Sequence, residues 1–290
     1  GYEKDFLGLI NSMPSMAGLI LGIPLGMLSD RIGRRPAMLI GLALFTTSMG
    51  LQLFIQVKIL LILVAFLGGV GNSLFFISQA PFMMKVTNTD NRSLMFSLNF
   101  GLNTLAGAVG NLFAGQMPAW FGGLLDVPAT SAQAYQLVLL VSVVLGFFAL
   151  IPIFILKEPQ KKVSLNQPVI NQWSLLKNTM RRSFTWKLVL PEMLLGFGAA
   201  ITIPYMNLYF VEVFHLKSNL LGVLFSMSAL FVGVGSILGP RLVRKFNSKI
   251  RVVVMTQASS LVFLLILAFS PFAWLAAIGY LLRGMLMNMA

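Results

Sequence analysis

The chain has no cysteine and a single histidine, His215, among its 290 residues. A disulfide framework and a thiolate metal site are therefore excluded, and the redox compartment leaves no mark on the sequence. Charge is also scarce. Asp, Glu, Lys and Arg make up 10% of the residues, against about a quarter in a soluble domain whose surface must be solvated. Acids are the rarest class, 8 Asp and Glu against 21 Lys and Arg, and no two acids share an apolar stretch. A membrane-embedded enzyme would need clustered acids, nucleophiles or metal ligands, and this composition does not supply them. No enzyme activity, cofactor or metal is expected. What the chain does have is apolar surface, with 57% hydrophobic residues and a mean hydropathy of +0.86.

That surface is organised. A helix crossing a bilayer needs about 20 mostly apolar residues, since the hydrocarbon core is about 30 Å thick and each residue rises 1.5 Å. Nine stretches qualify, at 6–29, 36–56, 59–84, 93–121, 135–156, 188–211, 219–240, 250–270 and 272–290. None alternates with period two, which argues against a barrel. The expected fold class is all-α, a polytopic transmembrane helical bundle. Nothing like a signal peptide precedes the first span. The chain opens on Gly1 and stops at Ala290 inside an apolar run, so a piece of a longer chain is expected.

The net charge of +13 would suggest nucleic acid in a soluble protein. Its distribution says otherwise. Alternate loops hold Arg31, Arg34 and Arg35, then Lys85 and Arg92, then seven basic residues from Lys157 to Lys187, then five from Arg241 to Arg251. Together these are 17 of the 21 basic residues. The opposite loops hold only Lys4, Lys58 and Lys217, and Arg283 lies inside a span. An asymmetry of this kind sets orientation, with the basic side cytoplasmic. The partner is the lipid bilayer, and no nucleic acid is expected. The longest polar stretch, 157–187, divides the chain into half-bundles at 1–156 and 188–290. Within it, Trp173, Leu176 and Met180 share a helical face opposite Lys177, Arg181 and Arg182. An amphipathic surface helix and a solvated linker both fit that pattern.

Between the first two spans runs Gly26-Met-Leu-Ser-Asp-Arg-Ile-Gly-Arg-Arg-Pro36. Asp30 ends one span, Gly33 permits a left-handed turn, and Pro36 suits the first turn of the next helix. Arg34 and Arg35 are expected among anionic headgroups, and Gly26 at a close helix contact. A positive-inside loop explains the arginines, but not an acid, two glycines and a leucine at these spacings. The run closely resembles the signature loop of the major facilitator superfamily, G-x-L-x-D-R-x-G-R-R, which joins that family's second and third helices. The resemblance implies a two-half, pseudo-repeated transporter fold. The spans would be the family's second to tenth helices, with its first, eleventh and twelfth absent, and a piece of this extent would not transport by itself. It also implies a gating role for Gly26, Leu28, Asp30, Arg31, Gly33, Arg34 and Arg35. Asp30 would meet the N-terminus of the eleventh helix, a contact favourable by about 0.3–1 kcal/mol.

A degraded copy lies at Pro240-Arg-Leu-Val-Arg-Lys-Phe-Asn-Ser-Lys249. Laid against the first loop, Leu242 falls on Leu28, Asn247 on Gly33 and Lys249 on Arg35, while Arg244 replaces Asp30. Asn tolerates the left-handed conformation, so the turn is expected to survive. A weaker echo pairs Gly68-x-x-x-Asn72 with Gly284-x-x-x-Asn288. Two repeated halves suit alternating access around a site near the bilayer midplane.

Polar groups deep in a membrane are costly and tend to be functional. The substrate-cavity candidates are Asn72, Asn103, Thr104, Tyr205, Asn207, Arg283 and Asn288. Arg283 stands out, because a guanidinium at mid-depth costs about 2.5–3.5 kcal/mol on insertion scales. Its partner is an anionic or polar substrate, an acid on a helix outside this chain, or helix-end carbonyls. The asparagines serve equally well as bridges between helices. Gly101, Gly107, Gly110 and Gly115 suit close packing and resemble the glycine-rich fifth helix of the family's antiporters. However, Asn111 stands where that motif has proline. Pro191 and Pro204 are expected to kink their span. Glu192 is the possible coupling acid for a proton or other ion, and a solvated helix-start residue on the bland reading.

The function expected is secondary active transport of a small solute by alternating access. The apolar, acid-poor midplane favours amphipathic cargo and therefore efflux. Uptake of a sugar or organic anion, or a non-transporting membrane sensor or scaffold, are the alternatives. A channel would show a selectivity filter or charged rings. The expected setting is a bacterial cell (inner) membrane, as a monomer.

Overall fold

The structure is a computed structural model that describes residues 4–156 and 177–289. Trp173, Leu176 and most of the 157–187 stretch lie outside the described residues. Each of the nine apolar runs is occupied by helix. The elements are α1 (Lys4–Ile32), α2 (Arg34–Gln52), α3 (Lys58–Val86), α4 (Thr89–Leu125), α5 (Ala132–Phe148), α6 (Leu150–Ile155), α7 (Ser183–Thr202), α8 (Met206–Phe214), α9 (Ser218–Phe246), α10 (Lys249–Phe269) and α11 (Ala273–Met287). No strand occurs among the described residues. Among the described residues, six helical stretches are long and apolar enough on their own to cross a bilayer. The other three are α2, which opens on two arginines, α4, which carries more polar residues, and α11, which has 15 residues.

Two runs are broken for a visible reason. Pro152 lacks the N–H that would bond the Phe148 carbonyl, and the helix divides into α5 and α6 at Ala149. Pro204 lies in a 3-10 turn, Ile203–Tyr205, between α7 and α8. Pro191, by contrast, sits inside the continuous α7.

The surface matches the apolar composition. Leu19 is 87% exposed and Leu145 61%, which in water would be a large cost and against lipid tails is none. Within such a solvent, burial of apolar area does not drive helices together, so close packing and hydrogen bonds do. α2 and α3 cross at Gly41 and Gly71. A Cβ on Gly41 would fall 2.7 Å from the Gly71 carbonyl oxygen, and one on Gly71 would fall 2.6 Å from the Gly41 oxygen. Gly26 is not such a point, since its nearest neighbour would be Ile77 at an ordinary 3.8 Å.

Contacts group Gly1–Pro159 with Leu216–Ala290 in one unit, and Gln160–His215 in a second. In the first, α1, α2 and α3 pack together, α9 packs on α4, and α11 packs on α9 and α10. In the second, α7 continues through the 3-10 turn into α8, where the rings of Tyr209, Phe210 and Phe214 stack edge to face or tilted. Side-chain contacts in the first unit join ends that the loop charges assign to one side. Lys58, at the start of α3, lies over the ring of Phe6, near the start of α1. Tyr135, at the start of α5, hydrogen-bonds Ser218, at the start of α9.

Candidate functional site

The hairpin between α1 and α2 turns on Gly33, with φ 96° and ψ 152°. A side chain there would be strained, as the sequence pattern requires. The Gly33 amide donates to the Ser29 carbonyl at 3.1 Å. Asp30 and Arg34 form an ion pair across the turn. Arg34 also donates to the Ser29 hydroxyl at 3.0 Å, and that hydroxyl lies 2.6 Å from Ser78 Oγ on α3. Ser78 in turn donates to the Leu74 carbonyl at 2.7 Å. Because Ser78 has one hydroxyl proton and spends it on Leu74, Ser29 must be the donor to Ser78. The chain of donation therefore runs from Arg34 through Ser29 and Ser78 to Leu74. Ser29 and Ser78 are both 0% exposed.

Arg35 reaches a different element. Its Nε donates to the Ile153 carbonyl at 3.2 Å and its Nη2 donates to the Phe154 carbonyl, while its guanidinium carbon lies 5.5 Å from the centre of the Phe154 ring. Those carbonyls belong to the last turn of α6, where no intrahelical donor remains, and a cation there also meets the negative end of the helix dipole. Arg35 ties the hairpin to α6, and Arg34 reaches α3 only through Ser29. Ser29 and Ser78 were not among the sequence candidates, since serines inside apolar runs carry no signal of their own.

In the repeated loop, Asn247 ends α9 with φ 51° and ψ 26°. Its hairpin thus turns on a positive φ at the position aligned with Gly33. Ser248 then caps α10, its hydroxyl accepting from the Arg251 amide at 3.3 Å.

A cleft lies between α4 and α9. Toward the side opposite the basic loops the two backbones touch, and a Cβ on Gly115 would fall 2.6 Å from Gly222 Cα. Beside that contact Asn111 Nδ2 donates to the Phe225 carbonyl at 3.4 Å. Toward the basic side the helices part around a cavity of about 830 Å³, walled by Leu94, Leu98, Leu105, Leu230, Val234 and Ile237 with Ser97, Thr104 and Ser236 between them. A second cavity of about 350 Å³ is lined by Asn103, Thr104, Asn111, Ser228, Phe225 and Tyr280 among others. Of the four α4 glycines expected at close contacts, only Gly115 is at one. A Cβ on Gly101, Gly107 or Gly110 would meet nothing within 4 Å. Gly101 and Gly107 face the cavities instead.

The structure brings Asn103 and Thr104 of α4 together with Tyr280 of α11, one turn before Arg283. The Tyr280 ring meets Phe225 edge-on at 5.7 Å. Arg283 is 6% exposed. Asn72 is half-buried in α3 outside both cavities. Asn288 ends α11, donating to the Gly284 carbonyl at 2.9 Å and accepting at its own carbonyl from Ser236. Asn207 is exposed and Tyr205 half-buried in the second unit. Glu192 lies in α7, and its side chain is outside the described residues. Tyr280, Ser228 and Asn111 were missed as cavity residues. The spacing of Tyr280 three residues before a mid-span arginine was the available signal.

A sequence profile of the Major Facilitator Superfamily matches residues 1–290. No curated protein matches the chain. Among solved structures, the fold is similar to a bacterial homologue of the human lysosomal transporter Spinster in an inward-facing and unoccupied conformation. That match has a TM-score of 0.75 at 14% identity and covers 98% of this chain but 65% of that one. It is also similar to a D-xylose–proton symporter (TM-score 0.69, 15% identity, 98% of this chain and 70% of that one). The inward-open xylose transporter XylE from E. coli aligns with a TM-score of 0.63 at 16% identity over 98% of this chain and 70% of its own.

Proposed function

The chain belongs to the major facilitator superfamily, and on that premise we propose that it forms most of a secondary transporter that moves a small solute by alternating access and exports it from the cytoplasm. The observation that carries this reading is the α4–α9 cleft, closed at Gly115 and Gly222 and open toward the basic, cytoplasmic side. A solute reaching the cavity from the cytoplasm leaves when the contact opens and the inner ends of α4 and α9 meet. The two repeated hairpins, each turning on a positive φ, support motion of two halves as near-rigid bodies. Export is favoured by the leucine, valine and isoleucine walls of the larger cavity, which suit an amphipathic solute drawn from the inner leaflet. In this reading the division into half-bundles at 1–156 and 188–290 is a division by motion, and the cavity residues are those of α4, α9 and α11. The transporter is a multi-pass protein of a bacterial inner membrane, and Glu192 is its candidate for ion coupling.

Flux measured in proteoliposomes of the full-length protein tests the proposal. Saturable counterflow of an amphipathic solute is expected, with faster transport out of the compartment facing the basic loops. Flux that never saturates points to a channel, and no flux for any solute to a sensor or scaffold; either sinks the transporter reading. Asp30→Asn is expected to slow transport while expression and membrane insertion stay intact. Unchanged transport in that variant removes Asp30 from the gate.

A further inference from the structure

The α4–α9 cleft has two flanks of opposite character. A helix advances about 100° per residue, so Leu105 and Asn103 lie on either side of Thr104, and Val234 and Val232 on either side of Gly233. Leu105 and Val234 wall the larger cavity, while Asn103 and Val232 line the smaller one. Thr104 borders both, and a Cβ on Gly233 would stand 3.0 Å from its methyl group. The two cavities are therefore back to back, with the Thr104–Gly233 contact as the neck between them.

α11 stands on one flank only. Tyr280 lines the smaller cavity, and Gly284 faces Ser228 and Val232, which line it too. Among the described residues the larger cavity takes its walls from α4 and α9 alone. A groove between two spanning helices that no third helix closes opens sideways, and in a bilayer the space beside it holds acyl chains, not water. On α4 the walls run from Leu94 to Leu105, about 16 Å of helix, which matches one leaflet of a hydrocarbon core about 30 Å thick. The groove lies toward the basic loops, so that leaflet is the cytoplasmic one.

The polar groups near the neck restrict the other end of an occupant. Among the described residues lining either cavity none is Asp, Glu, Lys or Arg, so a charged head would be buried there without a partner. Thr104 donates its one hydroxyl proton to the Phe100 carbonyl at 2.8 Å, and Ser236 donates to the Val232 carbonyl at 3.0 Å. Both hydroxyls therefore offer an occupant lone pairs only. Asn111 spends an amide proton on the Phe225 carbonyl and keeps its own side-chain carbonyl as an acceptor. Such a set matches a head that donates hydrogen bonds without carrying charge, as a hydroxyl does. The larger volume, about 830 Å³, suits one chain rather than a bulky ligand, since small-molecule sites run to about 300–1,000 Å³.

We propose that the groove between α4 and α9 is a side entrance from the cytoplasmic leaflet, and that it admits a single-chain amphiphile with an uncharged, hydroxyl-bearing head. The chain lies in the groove, and the head passes Thr104 into the smaller cavity beside Tyr280. Calling this solute cargo rests on the transporter reading, whereas occupancy of the groove is measured without flux.

The test uses monooleoylglycerol with a photoreactive diazirine in its chain, added to the full-length protein in phosphatidylcholine nanodiscs, with labelled residues located by mass spectrometry. Labelling at Leu98 and Val234 is expected to fall about tenfold when unmodified monooleoylglycerol is added, while labelling at lipid-facing Leu145 falls only by dilution. Oleate, with a charged head, is expected to compete about tenfold less well. Equal competition at all three residues means that the groove holds bulk lipid, and labelling of Leu145 alone means that another part of the protein covers it. Either result overturns the proposal, as does oleate competing as well as monooleoylglycerol. Leu98→Trp with Val234→Trp fills the groove and is expected to abolish competed labelling at Ile237 with a wild-type melting temperature. Thr104→Val keeps the shape and removes one acceptor. It is expected to weaken competition by about twofold to tenfold, and it serves as the test should the double variant not fold. Competed labelling that survives the double variant, or an unchanged affinity in Thr104→Val, overturns the proposal. Counterflow of monooleoylglycerol separates the two readings. Competed labelling without flux removes the transporter and leaves the groove site; flux without competed labelling removes the side entrance and leaves the transporter.

Discussion

At the scale of single residues, the hairpin motif works through partners far away in sequence. Ser29 and Ser78 are buried polar groups, and removing Ser78 leaves the Ser29 hydroxyl proton without its acceptor. Ser78→Ala is expected to destabilise the protein by about 1–3 kcal/mol, read as a lowered midpoint in thermal unfolding followed in detergent. A midpoint equal to wild type would mean that the Arg34–Ser29–Ser78–Leu74 relay carries no stability. Arg35→Lys is expected to lose most of the benefit of Arg35, because one ammonium cannot reproduce the double donation to Ile153 and Phe154. The motif made Asp30, Gly33 and the arginines legible in the sequence. It could not make Ser78 or Phe154 legible, since nothing local fixes which residue meets Arg34 or Arg35 from another helix. Arg283 was legible because a lone cation in an apolar run is costly wherever its side chain points.

At the scale of elements, the sequence boundaries lie within a few residues of the helices, because hydropathy and loop charge govern both. The breaks at Ala149 and at Ile203–Tyr205 are less legible, as proline permits a break without requiring one: Pro191 sits in continuous helix while Pro204 does not. Among the described residues, the three non-glycine positions with positive φ, Asp126, His215 and Asn247, each follow a helix C-terminus, where a left-handed residue closes the last turn. Asn247→Gly is therefore expected to be neutral or stabilising by up to about 1 kcal/mol, and Asn247→Val to destabilise by about 1–2 kcal/mol. Thermal melts of the two variants check this, and equal midpoints would remove the conformational argument. The packing partners of α4 were not legible at all. Four glycines in one helix look alike in sequence, and only the approach of α9 singles out Gly115.

At the scale of the whole molecule, the absence of cysteine makes the α4–α9 cleft directly testable. A Cβ built on Gly233 would lie 4.0 Å from Thr104 Cβ, within the range of about 3.5–4.5 Å that a disulfide spans. Thr104→Cys with Gly233→Cys is expected to cross-link under mild oxidation, to stop transport, and to recover it on reduction. A pair that never cross-links, or that transports equally when oxidised, would show that this part of the cleft does not carry the motion. The Gly115–Gly222 contact has a further, mechanical meaning. α4 has 37 residues, a rod of about 55 Å, and the contact falls some ten residues from one end of it. Treated as a fulcrum, that point gives a long arm of about 39 Å on the basic side and a short one of about 15 Å on the other. A tilt of about 10° would then carry the long end through roughly 7 Å and the short end through less than half of that. Unequal arms let a small adjustment at the face opposite the basic loops open or close a wide mouth at the basic one.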